Sequence, residues 1–235
     1  MCQYCGVDSH RLSRRALFGG GIAALAFARS ALAASDAPVP GVPGDVALQR
    51  LMAGNARYVA NHPTQRDYSA GRAERVNAQH PIAAVLSCAD SRVAPEFTFD
   101  EGPGQLFVIR VAGNILDDDG TASLEYAVRY LGVRLAIVLG HRNCGAIDAA
   151  IKVVKDGAAF PGHLPGLIDA IKPAVQAAMA TKPADLAAAA TAENVRQTMH
   201  RIATATPILS DAAASGQLKV AGGVYDLVNG KVNLV

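Results

Sequence analysis

Two short polar segments, Cys88-Ala89-Asp90-Ser91-Arg92 and His141-Arg142-Asn143-Cys144, each follow directly on an apolar run. Ile82-Ala83-Ala84-Val85-Leu86 leads into the first and Leu135-Ala136-Ile137-Val138-Leu139 into the second. Continuous apolar runs of this length read as strands covered on both faces, as in a parallel sheet. Strands of one parallel sheet end on the same edge, where ligand sites form in open α/β sheets. That edge then gathers two thiols, one imidazole and one carboxylate, which together make a full tetrahedral ligand set for zinc. Arg92 limits how such a set is used. A closed structural site has no need of an arginine two residues beyond Asp90, because a guanidinium can hold that carboxylate in a bidentate pair and compete with the metal for it. Without Asp90, three protein ligands and one open position remain, which is the pattern of catalytic zinc.

The order Cys-x-Asp-x-Arg followed by His-x-x-Cys resembles the β-class carbonic anhydrases, and the likeness runs from about Asp45 to Val235. Gly54-Asn55-Ala56-Arg57-Tyr58 is similar to the family's N-terminal Gly-Asn-x-Arg-aromatic helix. Arg110-Val111-Ala112-Gly113-Asn114 resembles its Arg-Asn-Ala-Gly-Asn segment, and Ser123 to Ala127, Leu139 to Ala146, and Tyr225 to Val232 also fit. Val111 stands where the family usually has Asn, and Gln105 where it often has Asp; neither position is a ligand.

The resemblance implies an α/β fold with a mostly parallel central sheet flanked by helices and a C-terminal hairpin strand. It implies one Zn2+ per chain on Cys88, His141 and Cys144, and reversible hydration of CO2 to bicarbonate and a proton by a zinc-bound hydroxide. Asp90 and Arg92 form the expected catalytic dyad: the carboxylate either closes the zinc as a fourth ligand or pairs with the arginine and leaves a water bound. Gly113 and Asn114 are expected to shape the substrate pocket, while Phe107, Val111 and Tyr126 read as core. His163 offers a possible proton carrier, although a solvated loop histidine is the plainer reading. In carbonic anhydrases with three histidine ligands, zinc lowers the pKa of its water enough to supply hydroxide near neutral pH. Two thiolates should make that water less acidic. The same scaffold would also suit hydrolysis of carbonyl sulfide or carbon disulfide. A non-catalytic zinc-stabilised binding module is the third reading. A homodimer or dimer-based oligomer is implied as the working unit.

The N-terminal segment reads separately. Ser13-Arg14-Arg15-Ala16-Leu17-Phe18 resembles a twin-arginine export signal, and Gly19 to Ala28 is a short, glycine-broken apolar stretch. Ala31-Leu32-Ala33 supplies small residues for cleavage. Residues 1–33 are therefore expected to be a signal, 34–44 a Pro/Gly linker and 45–235 a single zinc-dependent domain. Export machinery is an expected partner and the periplasm the expected location; an uncleaved anchor or tail is the alternative. Losing four arginines and one aspartate would take the net charge from +2 to −1. A charge so near zero, with no basic run beyond the first fifteen residues, leaves no broad nucleic-acid footprint.

Cys2 and Cys5 fall in the signal, which leaves Cys88 and Cys144 in the mature chain. An exported protein with two cysteines is ordinarily read as having one disulfide. A Cys88–Cys144 disulfide would explain neither His141 nor the Asp90-x-Arg92 spacing.

Local pattern places a helix from an Asp45 cap to about Ala60, and a second around Ala70 to Ala78. Strands are expected at Ile82–Ser87, Gln105–Val111, Arg134–Leu139 and Leu218–Val224. Thr121 is expected to cap a helix through Tyr130, and another helix to start at Gly145. Gly157–Pro165 reads as a loop, and Asp185 to about Ala205 as an Ala-rich helix. Asn229-Gly230 reads as the turn between the last two strands.

Overall fold

The structure, a computed structural model, describes residues 41–235. The expected signal and the linker up to residue 40 lie outside the described residues. In chain order the elements are α1 (Gly44–Val59), β1 (Ala83–Ser87), α2 (Pro95–Thr98), β2 (Leu106–Arg110), α3 (Asp118–Tyr130), β3 (Leu135–His141), α4 (Gly145–Asp156), α5 (Leu164–Ala180), α6 (Leu186–Thr204), α7 (Ile208–Ala214), β4 (Lys219–Tyr225) and β5 (Val232–Leu234). The strands form one sheet in the order β2-β1-β3-β4-β5. The first four run parallel and β5 pairs antiparallel with β4. Among the described residues, no helix is long and apolar enough to cross a membrane.

The apolar runs behave as strands covered on both faces: every residue of β1 and β3 is buried. Alternation then divides them. Val85, Ile137 and Leu139 pack with Leu51 of α1 and with Phe99. Leu86 and Val138 pack on the other face with Leu124, Val195, Ile202 and Leu209. A third cluster lies beyond the strand ends, where Ile147, Ile168, Ile171 and Val175 surround Cys88 and Cys144.

Strand boundaries agree with the sequence expectation to within two residues, but several local details differ. Helix α1 begins at Gly44 after Pro43, so Asp45 lies inside the first turn, where it pairs with Lys219 at 2.7 Å instead of capping. The expected helix over 70–78 is reduced to one 3-10 turn, Glu74–Val76, which buries no residue and so gains no packing to offset nucleation. Asp117 caps α3 by accepting from the Gly120 N–H at 2.7 Å, while the Thr121 hydroxyl donates to the Asp117 carbonyl one turn back. Between β4 and β5, the Lys231 carbonyl accepts from the Asp226 N–H at the base of a longer loop. Only Gly230 there has positive φ, so the two-residue turn that needs it at both positions does not form. The loop expected to reach Pro165 ends two residues earlier, at His163, and gives way to the 17-residue α5, for which the sequence pattern offered no helix. Pro165 sits in its first turn, where a missing N–H costs nothing, and Pro173 lies inside it.

The segment Gly54-Asn55-Ala56-Arg57 pins α1 to two distant loops. A Cβ at Gly54 would collide with the Phe99 carbonyl. Buried Asn55 donates to the carbonyls of Thr98 (3.0 Å) and Gly230 (2.9 Å), and accepts from the Val232 N–H at 2.9 Å. Arg57 donates to Asp100 at 2.6 Å. Asp100, its side chain only 2% exposed, also takes Arg66 at 2.5 Å and both the N–H and hydroxyl of Thr64. Burial works against the Asp100 anion, but Arg66, Thr64 and Arg57 together hold it well below the usual carboxylate range.

Because its folded-state pKa is depressed, Asp100 contributes stability that is present above the unfolded value near 4 and is lost as pH falls. Asp100→Asn should cost about 2 kcal/mol at pH 7, since hydrogen bonds to charged groups are worth roughly 1.5–3 kcal/mol. Followed from pH 7 down to about pH 2, urea melts of parent and variant should keep their separation to about pH 5 and converge only below about pH 4. A constant difference between them would remove the carboxylate charge from the account.

Candidate metal centre

Adjacent strands deliver the three ligands to one edge. Ser87 is in register with Leu139, so Cys88 leaves β1 beside the end of β3, where His141 is the last residue. Asn143 turns the chain at positive φ, and Cys144 then stands at the N-cap of α4. A helix N-terminus carries partial positive charge, which favours a thiolate there.

Cys88, His141 and Cys144 are all buried, and their donor atoms lie within 4.8 Å of one another. Both cysteines are free, with their sulfurs 4.0 Å apart, so the disulfide alternative is not formed. His141 Nδ1 is engaged with the Arg142 carbonyl at 2.8 Å. Its Nε2 is buried without a hydrogen-bond partner.

These residues fit zinc. Two sulfurs bound at about 2.3 Å on a tetrahedral ion lie roughly 3.8 Å apart, close to the separation found. The orphaned imidazole nitrogen is the third donor such an ion needs. Contact with the Cys144 thiol, against the cost of burial, lowers Cys88 to about 4. The same contact, together with burial and the Cys88 charge, pushes Cys144 far above the usual thiol range. Two thiolates this close are therefore not both stable alone, whereas a divalent cation between them lets both ionise.

Asp90 lies beside this group but is held away from it. Arg92 forks onto it, Nε to Oδ1 at 2.9 Å and Nη2 to Oδ2 at 2.7 Å, and the Arg92 N–H adds a third bond to Oδ1. The same oxygen Oδ2 is 3.7 Å from His141 Nε2. The Arg92 side-chain bonds, and next its backbone N–H, overcome desolvation and hold Asp90 well below the usual carboxylate range. Arg92 also reaches the Asn143 carbonyl at 3.3 Å, which ties the two ligand-bearing segments together.

Gly113 and Asn114 lie directly beside the ligand group. The Gly113 N–H donates to the Cys88 sulfur at 3.3 Å, and Asn114 is buried with an unpartnered Nδ2. Gly113 needs its lack of a Cβ, because φ is +71° and a Cβ would meet Ile171 at 2.6 Å. Val111 packs half-buried against the ligand cluster. Phe107 is half-buried, whereas Tyr126 is 47% exposed and stacks between Phe107 and Tyr130, so it is not core. His163 is exposed at the start of α5 and is not part of the ligand group.

Sequence reasoning gave no role to Arg110. Its guanidinium binds the carbonyls of Cys88 (3.1 Å), Asp90 (2.7 Å) and Val93 (2.8 Å), and so fixes the loop that carries the first ligand and the dyad. Its place at the head of the Arg110 to Asn114 segment that resembles the family was a signal, but it named no partner.

The sequence pattern of the carbonic anhydrase family matches residues 83–232. A carbonic anhydrase of Mycolicibacterium smegmatis is 34% identical over 191 residues, covering 80% of this chain and 91% of that protein. Carbonic anhydrase 2 of Mycobacterium tuberculosis is 36% identical over 194 residues, with the same coverage of each chain. Among solved structures, the β-carbonic anhydrase of Coccomyxa in complex with acetazolamide aligns with a TM-score of 0.62 at 32% identity, covering 71% of this chain and 77% of that one. The β-carbonic anhydrase CcaA aligns at 0.60 with 28% identity, covering 80% and 94%. Sequence, fold and ligand group agree: the chain belongs to the β class of the carbonic anhydrase family.

Proposed function

We propose that the chain hydrates CO2 reversibly to bicarbonate and a proton, with Cys88, His141 and Cys144 holding one zinc ion. The observation that carries this reading is the buried thiol–thiol–imidazole group with a carboxylate 3.7 Å away that an arginine restrains. When bound, zinc supplies the nucleophile, by lowering the pKa of a water in its open position so that hydroxide is available near neutral pH. Arg92 keeps Asp90 ionised and off the metal. Asp90 Oδ2 would then accept a hydrogen bond from the nucleophile and so orient it toward the carbon of CO2. Arg110 keeps that carboxylate in register with the ligands.

We propose two further properties. Residues 1–33 direct export of a chain already folded around its zinc, which places the enzyme in the periplasm. The chain works as a homodimer or dimer-based oligomer, a reading supported by β2, which stands at the sheet edge among the described residues, and by the exposed Tyr126 and Tyr130, the first in contact with Phe107 of β2.

Metal analysis and stopped-flow CO2 hydration on the chain from Ala34 test the activity. About one zinc per chain and hydration well above the uncatalysed rate are expected, with loss of both after prolonged chelation. Hydrolysis of carbonyl sulfide without CO2 hydration would replace the substrate. Fractionation should find the chain, shortened at its N-terminus, in the periplasm. A cytoplasmic chain of full length would end the export reading.

Cys144→Ser should lose most of its zinc and all detectable hydration, because a neutral hydroxyl replaces a charged ligand. Full zinc occupancy in that variant would remove Cys144 from the site. Arg92→Ala should keep its zinc but lose about 10- to 100-fold in hydration, the usual range for groups that orient a metal site from outside it. Arg92→Lys should recover part of this, because a point charge does not reproduce the planar fork. Parent-like rates in Arg92→Ala at equal zinc content would sink the dyad.

A further inference from the structure

We infer that Asn194, on α6, is a positioning residue for the metal centre: it fixes the backbone at Gly113 from the carbonyl side, so that the Gly113 N–H stays on the Cys88 sulfur. The inference rests on the reading of Cys88 as a zinc ligand. Asn194 is only 3% exposed, and its Nδ2 donates to the Gly113 carbonyl at 2.8 Å. The N–H of the same residue donates to the Cys88 sulfur at 3.3 Å. One side chain and one glycine thus link α6 to a ligand atom 106 positions away in sequence.

The glycine needs such a hold. Gly113 and Asn114 are consecutive residues at positive φ, +71° and +46°, and because glycine moves freely among many backbone conformations, its neighbours must fix this one. Ile171 of α5 and Ala146 of α4 wall in the Cα of Gly113 at the distances a Cβ would violate, so the peptide is confined on that side. Asn194 supplies the directional bond on the other. Its polar neighbours on the same buried stripe of α6 do less. The Thr191 hydroxyl returns to its own helix at the Ala187 carbonyl, and Thr198 reaches the Asn114 carbonyl only at 3.5 Å. Helix α6 can lie this close because Gly140, next to His141, has no Cβ to meet Val195.

A hydrogen bond to a thiolate sulfur draws negative charge away from the metal and fixes the direction of the sulfur lone pairs. Asn194 therefore acts on the metal through Gly113, without touching either metal or substrate. The expected consequences are tighter zinc binding and a more electron-poor metal.

The test uses Asn194→Leu, which keeps the volume and burial but removes the donor, with Ile202→Val as a packing control two turns along the same helix, where Ile202 packs with Leu124 and Leu209 and not with the ligand cluster. Zinc affinity is read by chelator competition, and the sulfur-to-metal charge-transfer band is read after cobalt(II) substitution. Asn194→Leu should bind zinc about 10- to 100-fold more weakly and shift the band. Ile202→Val should lower Tm but leave both readings at parent values. Parent-like affinity and band in Asn194→Leu would overturn the inference, as would equal changes in Ile202→Val. If Asn194→Leu does not fold, the parent loaded with cadmium-113 and labelled with 15N-glycine decides: a Gly113 N–H coupled to the metal through sulfur supports the inference, and an uncoupled one overturns it. A parent that binds neither zinc nor cobalt would instead defeat the ligand reading beneath it.

Discussion

Two sulfurs 4.0 Å apart in a buried setting constrain everything around them. Without a cation, one ionises at the other's expense, and the lowered Cys88 and raised Cys144 express that conflict. A divalent ion removes it, and binding energy then becomes folding energy, because the unfolded chain has no preformed site. The sheet makes this possible. Neighbouring parallel strands β1 and β3 must end together, and the chain must turn immediately into α4 to bring Cys144 to the same point. A hairpin-linked sheet would place consecutive strand ends on opposite edges.

Around this centre, the polar groups that position it are anchored on regular elements. Arg110 ends β2 and grips three carbonyls of the loop after β1. Asn194 sits in the middle of a 19-residue helix. Asn55 and Arg57 lie on α1 and fix the loops that close the opposite face of the sheet. Apart from the Asn55 bond to Thr98 at the end of α2, each of these bonds joins a side chain of a rigid element to the backbone or carboxylate of an irregular one. Loops carry the chemistry, and helices and strands set where those loops can go.

This division explains what could be read in the sequence. The buried strands were legible because apolar runs have few alternatives at that length. The ligand set was legible because Cys, His and Asp at strand ends have a restricted chemistry. Asp45 and Thr121 misled as caps because cap preference is shared by residues inside the first turn, and only backbone angles separate the two cases. Helix α5 was hidden by Pro165 and Pro173, although Ile168, Ile171, Val175 and Ala178 do mark one face of it. Asn194 gave no signal in an Ala-rich stretch. Its partner is a backbone carbonyl 81 residues away, and no residue type at that carbonyl encodes the contact. Gly113 and Asn114 were placed at the site through family likeness, but their position behind Cys88 depended on three helices meeting there.

The same sulfur pair sets a condition on the proposed export. Disulfide bonding requires sulfurs at about 2.05 Å, so a separation of 4.0 Å is short enough for a modest backbone shift to close it. Thiolates are the reactive form, and the contact between the two sulfurs favours ionising one of the pair. Zinc on both sulfurs opposes this twice: it occupies the space between them and takes up the electron pairs that would attack an oxidant. A chain sent out unfolded would meet oxidising conditions with both cysteines free and no competing ligand. A chain folded on zinc beforehand carries the protection with it. Thiol ligation would make metal loading before oxidation necessary, and the proposed export of an already folded chain would make it possible.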